Sequence, residues 1–300
     1  MHVRVLGSAA GGGFPQWNCS CLNCRRLRQG RFAGSPRSQA QLAISTDDKT
    51  WFLVNASPDL RYQIESFPPL HARAPQLRNS PIAGIILSSA EVDAALGLLL
   101  LRESEPLTVY ATDSVRQILM SDNSLFQVLC RQEDQVRWLN VLPDRAFCLA
   151  DSGLECLPVT TSGSYPGFVA ARRASQLESG SAVLGFFFLH GSRRFAFFPA
   201  VLHLKPELLE DMASCDVVFF DGTFWSDDEL IRLQGHGKTA REMGHQPVAD
   251  TLQSLNGISA RKIFIHVNNT NPILNEESEE FQRVRDAGWE VAFDGMDLTL

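Results

Sequence analysis

The fold of this chain is decided most clearly by the stretch Asp216-Val217-Val218-Phe219-Phe220-Asp221-Gly222-Thr223-Phe224-Trp225. It begins with a short apolar run of the length of one strand, and the run stops at Asp221, which a turn residue follows. Strands this apolar need cover on both faces, as in α/β proteins whose helices pack on a sheet. The stretch therefore predicts a buried strand with polar side chains at its carboxyl end.

Two other apolar strands end in the same way. Ile82–Leu87 runs into a polar segment that includes Glu91 and Asp93, and Ile263–Val267 runs through His266 into further polar residues. Sites in α/β sheets form at the carboxyl ends of strands, so we expect these side chains to converge. Carboxylates and histidines that converge there would suit a metal such as iron or manganese.

Each of these residues also has a plain structural interpretation. Asp93 could cap the helix that follows it. Asp221, directly before a glycine, could serve merely to shape a turn. His266 could be a hydrogen-bonded core residue. His245, in Met243-Gly244-His245, could belong to an ordinary loop. Only their joint placement at strand ends favours a site.

Strand and helix patterns alternate through both halves of the chain. A helix is predicted over Asp93–Glu103, and a hairpin is predicted from Leu184–Leu189 and Arg194–Phe198. No linker rich in proline, glycine and serine divides the chain, although Gly163–Gly180 is predicted as a surface loop. We expect one α/β domain over residues 1–300, made of two sheets with helices outside them.

Composition excludes some classes of protein. The chain has 300 residues, 44% of them hydrophobic and 20% charged, and a net charge of −7. It therefore lacks the surplus of basic residues that binds nucleic acid through its phosphates. Its first residues do not have the pattern of a signal peptide, and no apolar run is long enough for a membrane helix. We expect a cytoplasmic protein that is not inserted in a membrane.

Three cysteines, Cys19, Cys21 and Cys24, fall within six residues. Closely spaced thiols in a reducing compartment are typical of metal ligands, and zinc prefers four sulfur or nitrogen ligands in a tetrahedron. A structural zinc is predicted, whose fourth ligand lies elsewhere in the chain; three thiols without a metal are the alternative. The remaining cysteines stand alone and are predicted to be core thiols: Cys130, Cys148, Cys156 and Cys215.

Several segments together resemble the coenzyme PQQ synthesis protein B family, of the metallo-β-lactamase superfamily. The resemblance runs from residue 1 to residue 300. It is carried by residues 6–19, 57–61, 90–93 (Ala-Glu-Val-Asp), 220–225 (Phe-Asp-Gly-Thr-Phe-Trp), 243–245, 265–272 (Ile-His-Val-Asn-Asn-Thr-Asn-Pro) and 288–296.

The resemblance implies the metallo-β-lactamase αββα sandwich and a structural zinc in the cysteine loop. Phosphodiesterase relatives complete such a zinc site with a histidine three residues after the last active-site histidine. That position here is Asn269, so the fourth ligand would be Asn269, a nearby histidine or water.

The resemblance also implies a role in making pyrroloquinoline quinone (PQQ) from a peptide precursor. Two activities are implied as alternatives. One is an iron-dependent oxygenase acting on the tyrosine of the precursor, with Fe2+ held by Asp93, Asp221 and His266 and helped by Glu91 and His245. The other is a non-catalytic carrier that moves PQQ or its precursor towards the periplasm. In either case PQQ, its precursor or other PQQ-pathway proteins would be the partners.

The chain departs from this family at one position. The superfamily motif His-x-His-x-Asp-His aligns with residues 89–94, where this family generally keeps only the last histidine, and here that position is Ala94. A metal ligand is therefore missing at the second site, which favours the carrier, whereas the retained Asp93, Asp221 and His266 favour the enzyme. Hydrolysis by two metal ions is not expected, because it needs ligands on both sides.

Overall fold

The structure is a computed structural model that describes residues 1–103, 105–132, 135–162 and 164–300. The described strands are β1 His2–Gly7, β2 Gln41–Ser45, β3 Trp51–Val54, β4 Ile82–Ile86, β5 Leu107–Ala111, β6 Val136–Asn140, β7 Phe147–Cys148, β8 Glu155–Ser162, β9 Val183–His190, β10 Arg193–Phe198, β11 Val217–Asp221, β12 Arg261–Ile265, β13 Trp289–Val291 and β14 Asp297–Thr299. The described α-helices are α1 Leu22–Arg28, α2 Leu60–Glu65, α3 Val92–Ala95, α4 Asp113–Met120, α5 Ala171–Ala174, α6 Pro206–Ala213, α7 Glu229–Gln234, α8 Val248–Ser254 and α9 Glu279–Asp286.

The described strands form two sheets of seven. The first has the order β14-β1-β2-β3-β4-β5-β6, and the second has the order β13-β12-β11-β10-β9-β8-β7. Both sheets are mixed. In the first, β14, β1, β2 and β3 pair antiparallel in turn, and β3, β4, β5 and β6 run parallel. In the second, β10, β11, β12 and β13 run parallel, and β9 is antiparallel to both of its neighbours, β8 and β10. The predicted hairpin is confirmed as β9 and β10.

Three apolar layers hold the sheets and helices together. The middle layer packs side chains of both sheets against each other, such as Phe52 and Val54 against Phe186 and Phe219. A second layer lies between the first sheet and helices α2 and α4, and a third lies between the second sheet and helices α6, α8 and α9. The order helix, sheet, sheet, helix confirms the predicted αββα sandwich.

The predicted helix Asp93–Glu103 is wrong in its length. Helix α3 stops at Ala95, and Leu96–Leu101 is a 3₁₀ helix. Gly97 explains the break, because its N–H donates to the carbonyl of Ala56 at 2.8 Å. A Cβ at this glycine would also lie only 2.3 Å from the carbonyl oxygen of Ser57. Tertiary contact with the neighbouring backbone thus ends the regular helix.

Three other expectations from the sequence concern the isolated cysteines, a surface loop and membrane helices. Cys156 and Cys215 are buried as predicted, but Cys130 and Cys148 are exposed, because they lie in a 3₁₀ helix and in a short edge strand. The surface loop predicted over Gly163–Gly180 begins at a residue outside the described ranges, and its later part includes α5. Among the described helices, none has the length and hydropathy needed to cross a membrane.

Candidate metal centres

The parallel arrangement of β11 and β12 brings two of the predicted site residues together. Asp221 is the last residue of β11 and pairs in register with Ile265, the last residue of β12. His266 therefore leaves the sheet directly beside Asp221. Its φ of 60° is in the left-handed region, which residues with a side chain seldom adopt. The surrounding structure thus imposes this backbone conformation on a site residue.

Asp221 is completely buried, and its carboxylate is surrounded by donors. Oδ1 accepts from the backbone N–H of Thr223 at 3.0 Å and from its hydroxyl at 2.6 Å. Oδ2 accepts from the N–H of Val201 at 2.9 Å and lies 2.8 Å from His245 Nδ1. Asp221, His245 and His266 offer one carboxylate and two imidazole donors that all lie within 4.8 Å of one another.

Asp93 approaches the same histidine from the first sheet. It lies in α3, just after β4, and its Oδ2 is 2.9 Å from His266 Nε2. Burial alone would raise the pKa of Asp93, but the hydrogen bond and charge of His266 outweigh it and lower that pKa. Burial works in the opposite direction on His266, and Asp93 and Asp221 outweigh it and raise the pKa of the imidazole. Each of the two groups therefore favours the charged form of the other.

A cavity of about 750 Å³ opens in front of these groups. Glu91, Asp93, His245 and His266 line it, and so does Ala94. Glu91 is exposed to solvent, yet the cavity walls desolvate its carboxyl group and, together with the negative charge of Asp93, raise its pKa. Carboxylates and imidazoles thus face one ligand-sized space.

The three predicted cysteines meet at the start of α1. Their thiol sulfurs lie within 4.8 Å of one another. Asn269, on the loop after β12, points its side-chain amide at them, with Nδ2 3.1 Å from Cys19 Sγ, 3.7 Å from Cys21 Sγ and 3.4 Å from Cys24 Sγ. The sulfurs are close enough to share one zinc ion, and turning the amide would present an oxygen as the fourth donor.

The thiol pKa values respond to this crowding. Burial raises the pKa of the Cys21 thiol to about 12. Burial acts in the same direction on Cys19, but hydrogen bonds from Cys21, Cys24 and Asn269 outweigh it and lower its pKa. A bound zinc would deprotonate the thiols that it contacts.

All the site residues named from the sequence fall into these two groups. Cys19, Cys21, Cys24 and Asn269 form one, and Glu91, Asp93, Asp221, His245 and His266 form the other. The sequence argument did not single out Thr223, whose hydroxyl also lies 3.1 Å from His245 Nδ1 and 2.9 Å from His266 Nδ1. Its place two residues after a strand-end aspartate is the signal that could have found it.

A family model described as a β-lactamase superfamily domain matches residues 50–267. Coenzyme PQQ synthesis protein B of Azotobacter vinelandii is 41% identical over 305 residues, covering all of both chains. The protein of the same name from Gluconobacter oxydans is 42% identical over 311 residues, covering 100% of this chain and 99% of its own. This chain belongs to the coenzyme PQQ synthesis protein B family.

Solved structures agree with the membership of the coenzyme PQQ synthesis protein B family. Zn(2+)-bound PqqB from Methylobacterium extorquens superposes with a TM-score of 0.92 at 38% identity, covering 100% of both chains. A diphosphatase from the PhnP family superposes with a TM-score of 0.69 at 19% identity, covering 100% of this chain and 97% of its own. At that identity the second likeness shows the fold alone.

Proposed function

We propose that this chain acts in the biosynthesis of PQQ by an iron-dependent, oxygenase-type step on the tyrosine of the peptide-derived precursor. The observation that carries the proposal is the pair Asp93 Oδ2 and His266 Nε2, 2.9 Å apart and facing a ligand-sized cavity. Mixed carboxylate and imidazole donors suit iron(II). Iron held there would supply the activation of dioxygen, one atom of which would enter the precursor while the other leaves as water with two electrons from a small-molecule reductant.

Several side chains at the cavity have proposed roles in this step. Asp93, Asp221 and His266 would hold the ion, while Glu91 and His245 face the cavity and could hold or move a proton at the substrate. Lys238 and Glu242 line the cavity with opposite charges, which suits a precursor derived from amino acids that carries both carboxylate and amino groups. The side chains of Asp93 and His266 are only 18% and 15% exposed, which limits access of water to them.

The cysteine centre is proposed to hold a structural zinc through Cys19, Cys21, Cys24 and the amide oxygen of Asn269. Support comes from the donor chemistry and from the distances of 3.1–3.7 Å between Asn269 Nδ2 and the three sulfurs. A closed set of four ligands leaves no position for substrate, so its role is to tie α1 to the loop after β12. That loop also carries His266.

Ala94 supports the second candidate, a carrier of PQQ or its precursor. The side chain is buried and lines the cavity where the family pattern has a histidine, so the ion would have one nitrogen ligand fewer. A weakly held ion would leave a cavity that binds the precursor without turning it over. Other PQQ-pathway proteins would then be the partners that receive it.

One experiment separates the two candidates. The full chain is supplied with iron(II), dioxygen, a two-electron reductant such as ascorbate and the peptide-derived precursor, and oxygen consumption and gain of one oxygen atom by the precursor are followed together with equilibrium binding. The oxygenase predicts both oxygen uptake and oxidised product. Binding of the precursor without oxygen uptake would establish the carrier and refute the oxygenase.

The variant Ala94→His sharpens this test. Restoring a nitrogen donor beside Asp93 should tighten iron binding at least about tenfold, equivalent to about 1.4 kcal/mol. Val92→His is the matched control, because Val92 is on the same helix and lines the same cavity but is not at the ligand position. Equal iron affinity in the parent and both variants would show that Ala94 is no handicap, and the carrier would lose its support.

A further inference from the structure

Three nearly buried polar side chains line the wall of the cavity that the first sheet forms. Asn55 follows β3, Ser88 and Ser89 follow β4, and each of the three residues is only 4% exposed. Strands β3 and β4 are parallel neighbours, so their carboxyl ends meet at the same edge of the sheet. The N–H of Ala56 donates to the carbonyl of Ala94 at 2.7 Å, which holds this wall against α3. The three side chains therefore lie beside the proposed ion site.

The amide of Asn55 has a fixed orientation and presents a donor to the cavity. Its Oδ1 accepts from the N–H of Ser88 at 2.9 Å, so Nδ2 lies on the other side of the amide. None of the residues that the structure describes accepts a hydrogen bond from Nδ2, and this atom is not sealed from the cavity. Buried polar side chains usually have a hydrogen-bond partner. An amide donor held open to a ligand-sized cavity therefore points to an acceptor on the ligand.

The hydroxyls of the two serines extend this set of donors. Ser89 Oγ accepts from the N–H of Glu91 at 3.2 Å, and its own proton has no acceptor within the described ranges. Ser88 Oγ likewise has no partner there and is open to the cavity. The carbonyl of Ser88 is already occupied by the N–H of Leu184 at 2.8 Å. This wall thus offers one amide and two hydroxyl donors.

The backbone at Asn55 indicates that its side chain is needed at this place. Its φ is 69°, in the left-handed region, where glycine would be free of strain. Asparagine adopts this region more readily than most residues, but still at a cost. Strained residues of this kind cluster at sites that bind ligands.

The charges around these donors select the kind of ligand atom that they suit. Glu91 and Asp93 follow Ser89 in the chain and line the same cavity with carboxylates. A carboxylate of the ligand placed at this wall would be repelled by them. Lys238, which would attract a carboxylate, belongs to the segment between α7 and α8. An uncharged oxygen that accepts hydrogen bonds fits the wall best.

We infer that Asn55, Ser88 and Ser89 form a subsite for the uncharged phenol oxygen of the tyrosine side chain in the precursor. The inference rests on the proposed function for the identity of the substrate, and it adds the residues that recognise the ring hydroxyl. The phenol oxygen would accept from Asn55 Nδ2 and from a serine hydroxyl, and Glu91 offers an acceptor for the phenol proton at the same cavity. The subsite would bind the ring in the oxygenase and in the carrier alike.

The test compares two neutral probes, N-acetyl-tyrosinamide and N-acetyl-phenylalaninamide, which differ only in the phenol hydroxyl. The dissociation constant of each probe is measured by NMR titration of the full chain as purified. The parent should bind the tyrosine probe at least about tenfold more tightly, because a site built to hydrogen-bond a hydroxyl rejects the analogue that lacks it. The ratio of the two constants is the preference that the variants should change.

Asn55→Asp keeps a side chain that tolerates the left-handed backbone and an acceptor for the N–H of Ser88, but it replaces the donor with an oxygen. The preference should then fall to about twofold or less. Ser88→Ala removes a hydroxyl that no described residue uses, and should lower the preference by about two- to tenfold. Gln16→Glu makes the same change from amide to carboxylate at another residue of the cavity lining and should keep the parent's preference.

Equal binding of the two probes by the parent, or binding of neither, would overturn the inference. A preference that survives in Asn55→Asp would overturn it too, as would an equal loss in Gln16→Glu. Thermal unfolding checks that each variant is folded, and Ser88→Ala decides alone if Asn55→Asp is not.

Failure of the proposed function gives a different pattern of results. The preference and its loss in Asn55→Asp would then remain, while the precursor gains no oxygen. Oxygen uptake by the parent together with an unchanged preference in Asn55→Asp would keep the proposed function and reject the subsite.

Discussion

Glu229 should make the stability of this protein fall as pH rises. The residue begins α7 and is 7% exposed; its Oε2 accepts from the N–H of Trp225 at 2.6 Å and its Oε1 from the hydroxyl of Thr270 at 2.5 Å. Burial, joined by the negative charges of Asp228 and Glu280, raises the pKa of this carboxyl group from 4.5 to about 7 in spite of the two hydrogen bonds.

The sign follows from proton linkage. The folded state binds the Glu229 proton more tightly than the unfolded chain does, so its contribution to stability is fully present below pH 4.5 and is lost as pH rises to about 7. The difference in pKa corresponds to about 3 kcal/mol of unfolding free energy. Above pH 7 the folded protein must carry a buried carboxylate.

Glu229→Gln removes this titration while keeping the shape of the side chain. The remaining oxygen can accept from Trp225 N–H, and the hydroxyl of Thr270 can rotate to accept from the new amide. Urea unfolding of both proteins at pH 4.5 and at pH 7 measures the effect. The parent should lose up to about 3 kcal/mol more stability between these two values than the variant loses.

The change in stability between the two pH values is compared in the parent and in Glu229→Gln. The comparison isolates the titration of Glu229, because the thiols and other titrating groups are the same in both proteins. Glu277 is an exposed residue just before α9. Glu277→Gln therefore serves as a control for the loss of one negative charge. Equal pH dependence in the parent and Glu229→Gln would refute the argument from burial. So would an equal effect of Glu277→Gln.

Two further predictions concern the zinc and the core. Cys21→Ser should abolish binding of the zinc expected at about one ion per chain, as measured by elemental analysis, and should lower the melting temperature, as measured by calorimetry. Cys148→Ser, at an exposed position, should do neither. Zinc retained by Cys21→Ser would contradict this prediction. Gly185→Ala would place a Cβ only 2.1 Å from Phe198 Cδ1 and should destabilise the fold by about 1–3 kcal/mol in urea unfolding, while Gly257→Ala, with open space around it, should stay within about 0.5 kcal/mol of the parent.

Much of the fold could be read from local pattern. The apolar runs at Ile82–Leu87 and Asp216–Phe220 became β4 and β11, because a strand covered on both faces needs a nearly continuous apolar sequence. The helix predicted over Asp93–Glu103 failed for a non-local reason. The backbone of Ala56 takes the N–H of Gly97, and no pattern within the helix announces that contact.

The sequence by itself determined the family, the α/β class, the cysteine cluster and the strand-end side chains. The family follows from the resemblance of several motifs, and the other three follow from residue spacing and apolar periodicity, which are local properties. The tertiary structure alone decided which groups meet: Asn269 reaches Cys19 across 250 residues of chain, and His266 reaches Asp93 across 173. It also decided that Thr223 lies between Asp221 and the two histidines. The register of β11 beside β12 sets such contacts, and spacing along the chain does not specify that register.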